Sequence, residues 1–137
     1  MPNDCCNYLD ICHLSRAQVQ RIVRACAPRR IQPKLAYDIF SSLLSEFLPV
    51  TPGSSPKEVW GTQWDADAVD VSHFTGGVSV SFSTAWSPPS QEWIEALSEA
   101  MPKARITLRY REVGCDFAGK AVAQYGVAVD KYLDPAS

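Results

Sequence analysis

Asp65, Glu112 and Asp116 are the three carboxylates whose surroundings in this sequence could support chemistry. Two carboxylates held close can share a proton or grip a divalent cation. The simpler reading is that each caps a turn or pairs with Arg109 or Arg111. Asp65 closes the segment Trp60-Gly61-Thr62-Gln63-Trp64-Asp65, which is echoed by Thr84-Ala85-Trp86-Ser87-Pro88-Pro89. Three of the four tryptophans lie in these two stretches. A tryptophan carries a large apolar area and one N–H that wants an acceptor when buried. Asp65 and Thr62 are near enough along the chain to supply one. The cluster reads as an aromatic core that pins a loop to a sheet. In that case Trp86→Ala costs about 3–5 kcal/mol. The alternative is the floor of a ligand or partner pocket lined by Trp60, Thr62, Trp64, Asp65, Trp86, Glu112, Asp116 and Phe117.

Other chemistries lack their residues. His13 and His73 are the only histidines, both in predicted strands, and no nucleophile–base triad is visible. A lone strand histidine more often packs or faces water than acts as a base. Neither a glycine-rich phosphate loop nor a zinc-binding helix motif occurs. The five cysteines (Cys5, Cys6, Cys12, Cys26 and Cys115) are odd in number and include no C-x-x-C pair. Cys12-His13 near Cys5 and Cys6 fits no standard zinc spacing. No metal, cofactor or catalytic residue is assigned, and the thiols are read as reduced.

The chain has 137 residues, 46% of them hydrophobic and 20% charged, with a net charge of −2. That balance gives no overall pull toward nucleic acid or membrane. No apolar run approaches a bilayer span, and no basic-then-apolar leader opens the sequence, so a cytoplasmic location is expected. The charge is uneven, however. Ile11 to Tyr37 holds six bases (Arg16, Arg21, Arg24, Arg29, Arg30 and Lys34) and no acid. Such a segment is a solvated helix face or a contact for an anionic partner.

The elements that must position these residues follow from periodicity. Asn7–His13 alternates as a strand, with Leu9 and Ile11 inward. Ser15 and Gln18 form a capping box for a helix over 15–26, whose stripe is Val19, Ile22, Val23 and Cys26. Apolar residues from Leu35 to Phe47 predict a second helix over 34–47, and the prolines and glycine of 49–58 predict a loop. Val69–Phe74 and Val78–Trp86 are strands around a Thr75-Gly76-Gly77 turn, with Val78, Val80, Phe82, Thr84 and Trp86 on one side. Ser87-Pro88 is expected to open a helix buried through Trp93, Ile94, Leu97 and Met101. Ala104–Arg111 is a strand, Gly114–Gly119 a turn and Ala121–Val129 a last strand. The result is α+β: a ferredoxin-like split βαβ sandwich, its antiparallel sheet covered by helices on one face. It carries one inserted helix and an extra C-terminal strand. The whole, 1–137, is expected to be a single domain in which 27–58 is the inserted helix and loop.

Four groups of residues carry a resemblance: Cys6-Asn7-Tyr8-Leu9, Trp60-Gly-Thr-Gln-Trp64-Asp65-Ala66, Phe82-Ser-Thr-Ala-Trp86-Ser-Pro-Pro89, and Tyr110-Arg-Glu112 with Gly114 and Phe117-Ala-Gly119. They resemble the YubB-type ferredoxin-like proteins of plasmids and phages, most closely over 60–120. The resemblance implies the sheet and a mobile-element origin. It transfers no catalytic residue.

The expected function is a small non-enzymatic interaction protein of a mobile element, whose partner is a host or plasmid protein. The alternative is a nucleic-acid-binding protein. It would use the basic 16–34 segment and the bare sheet face, with contacts from Arg16, Arg21, Arg24, Arg29, Arg30, Arg105, Arg109 and Arg111. A third possibility is an enzyme using Asp65 and Asp116. The oligomeric state is left open.

Overall fold

The first strand, β1 (Asp4–Cys12), begins earlier than its apolar alternation suggests. Cys5 and Asn7 continue the buried side of Leu9 and Ile11. Asn7 can be buried because its amide donates to the carbonyls of Cys5 (3.1 Å) and Phe82 (3.4 Å) and to Thr84 Oγ1 (2.9 Å). A polar residue satisfied this way does not break a buried face. In the computed structural model, residues 4–27, 29–30, 39–112 and 117–133 are described.

Helix α1 (Arg16–Cys26) starts at the expected capping box. Ser15 Oγ accepts the Gln18 N–H at 3.2 Å, and Gln18 Oε1 accepts the Ser15 N–H at 2.9 Å. Val19, Ile22, Ala25 and Cys26 are its buried side.

The expected 34–47 helix is shorter and preceded by strand. Residues 34–38 lie outside the described ones. Strands β2 (Arg29–Arg30) and β3 (Ile39–Phe40) pair antiparallel, and helix α2 is confined to Leu43–Phe47. Two serines set the break. Ser41 Oγ donates to the Ala66 carbonyl and accepts the Leu43 N–H, while the Ser42 N–H donates to the Ala25 carbonyl. Side-chain bonds of this kind compete with a continuing helix.

A further helix, α3 (Pro56–Trp60), stands where loop was expected. Its signals are present: Ser55 caps it, Pro56 opens it, and Gly61 ends it at φ 73. Read only as breakers, the same residues look like loop.

Strands β4 (Asp67–Phe74) and β5 (Gly77–Ala85) form the expected hairpin around Thr75-Gly76. A one-residue bulge between Asp67 and Asp70 includes Ala68 at φ 49. Helix α4 (Gln91–Ala100) is capped by Ser90, not Ser87. Pro89 explains the shift, because a residue preceding proline is kept out of the helical region and so Pro88 cannot begin a helix.

Strands β6 (Arg105–Glu112), β7 (Phe117–Gln124) and β8 (Val127–Leu133) complete the chain. The expected last strand is thus divided. Tyr125 and Gly126 both have positive φ, 56 and 80, the signature of a type I′ hairpin. The turn is docked on α4: the Gly126 N–H donates to Ser98 Oγ at 2.8 Å and the Tyr125 N–H to the Pro102 carbonyl at 3.1 Å. Gly119, expected in a turn, lies within β7 opposite Tyr110. A Cβ on Gly119 would collide with the Tyr110 ring.

The six strands order as β4-β5-β1-β6-β7-β8, every neighbouring pair antiparallel. The first four are the split βαβ core, and the β7–β8 hairpin extends the β6 side. Helices lie on one face. Trp93, fully buried, donates its indole N–H to the Leu44 carbonyl at 3.1 Å and joins α4 to α2. Ile22, Leu97, Leu9, Ile11, Ile106 and Leu108 share the same core. Each such side chain contributes roughly 1.5–3 kcal/mol by burial.

Candidate functional site

The two tryptophan segments meet, and they meet as backbone stitching. Thr62 Oγ1 donates to the Ala85 carbonyl at 2.8 Å, Ser87 Oγ donates to the Gly61 carbonyl, and the Ser90 N–H donates to the Trp60 carbonyl at 2.7 Å. The tryptophans do not form one shared core. Trp60 is buried and gives its N–H to the Leu48 carbonyl at 2.6 Å, so neither Asp65 nor Thr62 is its acceptor. Trp64 is half-buried. Trp86 does not continue the inward side of β5; it is 51% exposed. The Ser87 N–H reaches back to the Ala85 carbonyl at 2.9 Å around Trp86, which sits at φ 71. That is a γ-turn with a positive-φ centre, a rare and strained conformation for a bulky residue. The turn swings the indole out of the sheet.

Asp65 is committed to backbone donors. Asp65 Oδ1 accepts the Leu44 N–H (2.8 Å) and its neighbour Ala66 N–H (2.8 Å), while Oδ2 accepts the Ser45 N–H (3.1 Å). It serves the start of α2. Burial raises its carboxyl above the usual aspartate value, and the three backbone donors pull it part of the way back. Glu112 is buried at the end of β6, on the helix-covered side of the sheet. Phe117 pairs with it as the first residue of β7, and Asp116 lies outside the described residues. Among the described residues no group of three or more histidine, cysteine or acidic side chains could hold a metal ion.

The basic segment separates into distinct fates. Arg21 pairs with Glu46 (2.9 Å) and lies 4.7 Å from the Phe47 ring centre. Arg16 and Arg24 are exposed and make no ion pair among the described residues. They flank a groove of about 390 Å³ between α1 and β4, lined by Val19, Gln20, Val23 and His73. Arg29 and Arg30 form β2. Sequence reasoning found these arginines but not the groove. His73 and Val23 become neighbours only when β4 packs beside α1, and no local signal reports that.

On the face without helices, Tyr8, Asp10, Asp70, Ser79, Ser81 and Arg109 line a depression of about 370 Å³. Ser79 Oγ donates to Asp10 Oδ1 at 2.7 Å. Arg105, Arg109 and Arg111 project here as expected, joined by Lys120 through its pairing with Arg109. No local sequence signal marks Lys120 and Asp70, because a residue's place in a sheet row depends on register.

A β4-β5-β1-β6 antiparallel core with helices on one face defines a ferredoxin-like α+β domain. Residues 59–137 match the family described as the ferredoxin-like domain in Api92-like protein, and the chain belongs to that family. The crystal structure of the protein api92 from Yersinia pseudotuberculosis is similar, with a TM-score of 0.69 over 97% of this chain and 98% of that one. At 9% identity this likeness concerns the fold alone. No curated protein sequence matches the chain. The ferredoxin-like sheet implied by the YubB-type resemblance is the fold of this family, whose description names a fold and no activity. Among the described residues, no helix is long and apolar enough to cross a membrane.

Proposed function

We propose that the protein is a non-enzymatic interaction module whose partner docks in the groove between α1 and β4. One observation carries this reading: Arg16 and Arg24, in no ion pair among the described residues, stand over an apolar floor of Val19 and Val23, beside a strand that ends the sheet. From Asp70 to Phe74 the outer edge of β4 has no strand partner among the described residues. An extended segment can hydrogen-bond along such an edge while alternate side chains enter the groove. The fitting partner is a protein segment that mixes acidic and apolar side chains. Asp65, one of the three candidate acids, is occupied in holding α2, which favours binding over catalysis at that residue. A host or plasmid protein as partner, and a plasmid or phage origin, are supported by the sequence resemblance alone. The free thiols of Cys5, Cys6, Cys12 and Cys26 support a reducing, cytoplasmic setting.

Selection from a library of displayed unstructured peptides tests the proposal. Enriched sequences should combine Asp or Glu with Val, Leu or Phe. Their binding should vanish on Arg16→Glu with Arg24→Glu while the melting curve stays put. No enrichment, or binding indifferent to the charge reversal, would sink it.

A second reading is favoured by Arg105, Arg109, Arg111 and Lys120 on one half of the open face, with Tyr8 beside them. These residues could track a single-stranded nucleic acid, with stacking on the tyrosine. Retention of single-stranded nucleic acid at about 50 mM salt, falling as log salt rises, is its signature. Absence of retention there removes it.

A further inference from the structure

The open face of the sheet is split by charge along the line between β1 and β6. On the β4-β5-β1 half lie Asp10, Asp67 and Asp70, with no base. On the β6-β7-β8 half lie Arg105, Arg109, Arg111 and Lys120, with no acid among the described side chains. Among the described residues none of these charges is in an ion pair; the pair found there is Arg21–Glu46, on the helix-covered side. The face also holds four of the six large apolar side chains that stand exposed among the described residues: Tyr8, Phe74, Val127 and Val129. Charge of both signs and exposed apolar groups are thus concentrated on a surface that none of the described residues covers.

A surface with one acidic and one basic half is complementary to itself. We propose that a second copy of this chain packs on the open face, related by a two-fold axis that runs parallel to the strands between β1 and β6. That rotation lays β4 over β8 of the second copy, β5 over β7 and β1 over β6, and keeps each row of paired residues in register. Tyr8, which pairs with Arg109 within its own sheet, then faces Arg109 of the second copy. The ring and the guanidinium are suited to stack. Asp10, one row away, falls between Arg105 and Arg109 of the second copy. Phe74, at the β4 end of its row, falls on Val127 at the β8 end. A two-fold axis perpendicular to the strands would instead lay β4 on β4 and acid on acid, so the charge pattern selects between the two. The tilt of about 30° usual for stacked sheets displaces the residues nearest the centre of the face least, and Tyr8 and Arg109 lie there, midway along β1 and β6. Such an interface is isologous and closes as a dimer.

The area is adequate. Six strands about 4.8 Å apart and about eight residues long at about 3.4 Å each give roughly 800 Å² per copy, the usual share of one partner in a stable interface. The proposal concerns the opposite side of the molecule from the α1–β4 groove and does not depend on it.

Light scattering after size exclusion tests it, at about 100 µM, above the µM-to-pM range that interfaces of this area span. The parent should run at twice its 15.1 kDa. A variant with a basic face (Asp10→Arg with Asp70→Arg) and one with an acidic face (Arg109→Glu with Arg111→Glu) should each run as monomers. Mixed in equal amounts, they should form a dimer again, which also shows that both are folded. A monomeric parent overturns the proposal. So does a dimer that persists in either variant alone, or a mixture that stays monomeric.

Discussion

Asp65 holds the backbone N–H of Leu44 at 2.8 Å from twenty-one residues further along the chain, and so fixes where α2 begins. Its Oδ2 takes the Ser45 N–H as well. A residue that sequence alone places beside the tryptophans as a potential acid is a helix-terminus clamp.

That role has a pH signature. Burial raises the Asp65 carboxyl, so the folded state binds its proton more readily than the unfolded chain does. Stability should therefore fall as pH rises from about 4, the ordinary aspartate value, through the raised folded value, and then level off. Asp67, raised by its own burial and by nearby Asp4, adds in the same direction. In urea melts at a series of pH values, Asp65→Asn should flatten the fall and leave only the Asp67 share. Asp65→Ala, which leaves backbone donors unmet, should cost about 1–3 kcal/mol at neutral pH. An Asn variant with the parent's pH slope would contradict the assignment.

The tryptophans divide into one that supports the fold and one that does not. Trp93 is fully buried and hydrogen-bonded, and Trp93→Ala should cost about 3–5 kcal/mol. Trp86 is half-exposed on a left-handed turn, so Trp86→Ala should cost far less than the buried-core expectation. Trp86→Gly relieves the left-handed backbone of a penalty of about 1–2 kcal/mol and should melt at or above the alanine variant. Chemical denaturation of the three proteins decides. Equal losses for Trp86→Ala and Trp93→Ala would place the Trp86 ring in the core.

The thiols should differ sharply in reactivity. Burial pushes the Cys5 thiol up to about 12, and the same cause puts Cys26 at about 12. Cys6 is exposed and Cys12 half-buried. Alkylation of the native protein, read by peptide mass spectrometry, should mark Cys6 and Cys12 and spare Cys5 and Cys26 until denaturant is added. Native labelling of Cys5 as fast as Cys6 would show that β1 does not hold the register described.

Strong alternation made much of the fold readable. Leu9 and Ile11, Val78 through Phe82, and Ile106 through Tyr110 each announce a strand, and Ser15 with Gln18 announces a helix. What was hidden has a common cause. Trp86, Tyr125 and Ala68 take positive φ without being glycine, and no composition rule marks a bulky residue for that region. The turn at Tyr125 therefore passed for continuous strand, and Trp86 for the last inward residue of β5. The site was hidden differently. Arg16 and Arg24 stood out in the sequence, but their relation to His73, and that of Asp10 to Arg109, exists only after distant strands have paired.

The placement of β1 at the middle of the sheet bears on how the chain is made. Cys12 and Arg105, adjacent across β1 and β6, are 93 residues apart in sequence. At about 5–20 residues per second, a ribosome takes about 5–20 s to supply the second after the first. Until Ala85 has been made, Leu9 and Ile11, later among the most deeply buried side chains, have neither neighbouring strand in full, and β6 follows later still. The central strand gains its second neighbour only once β6 has been made, so β1 must be shielded from aggregation until then.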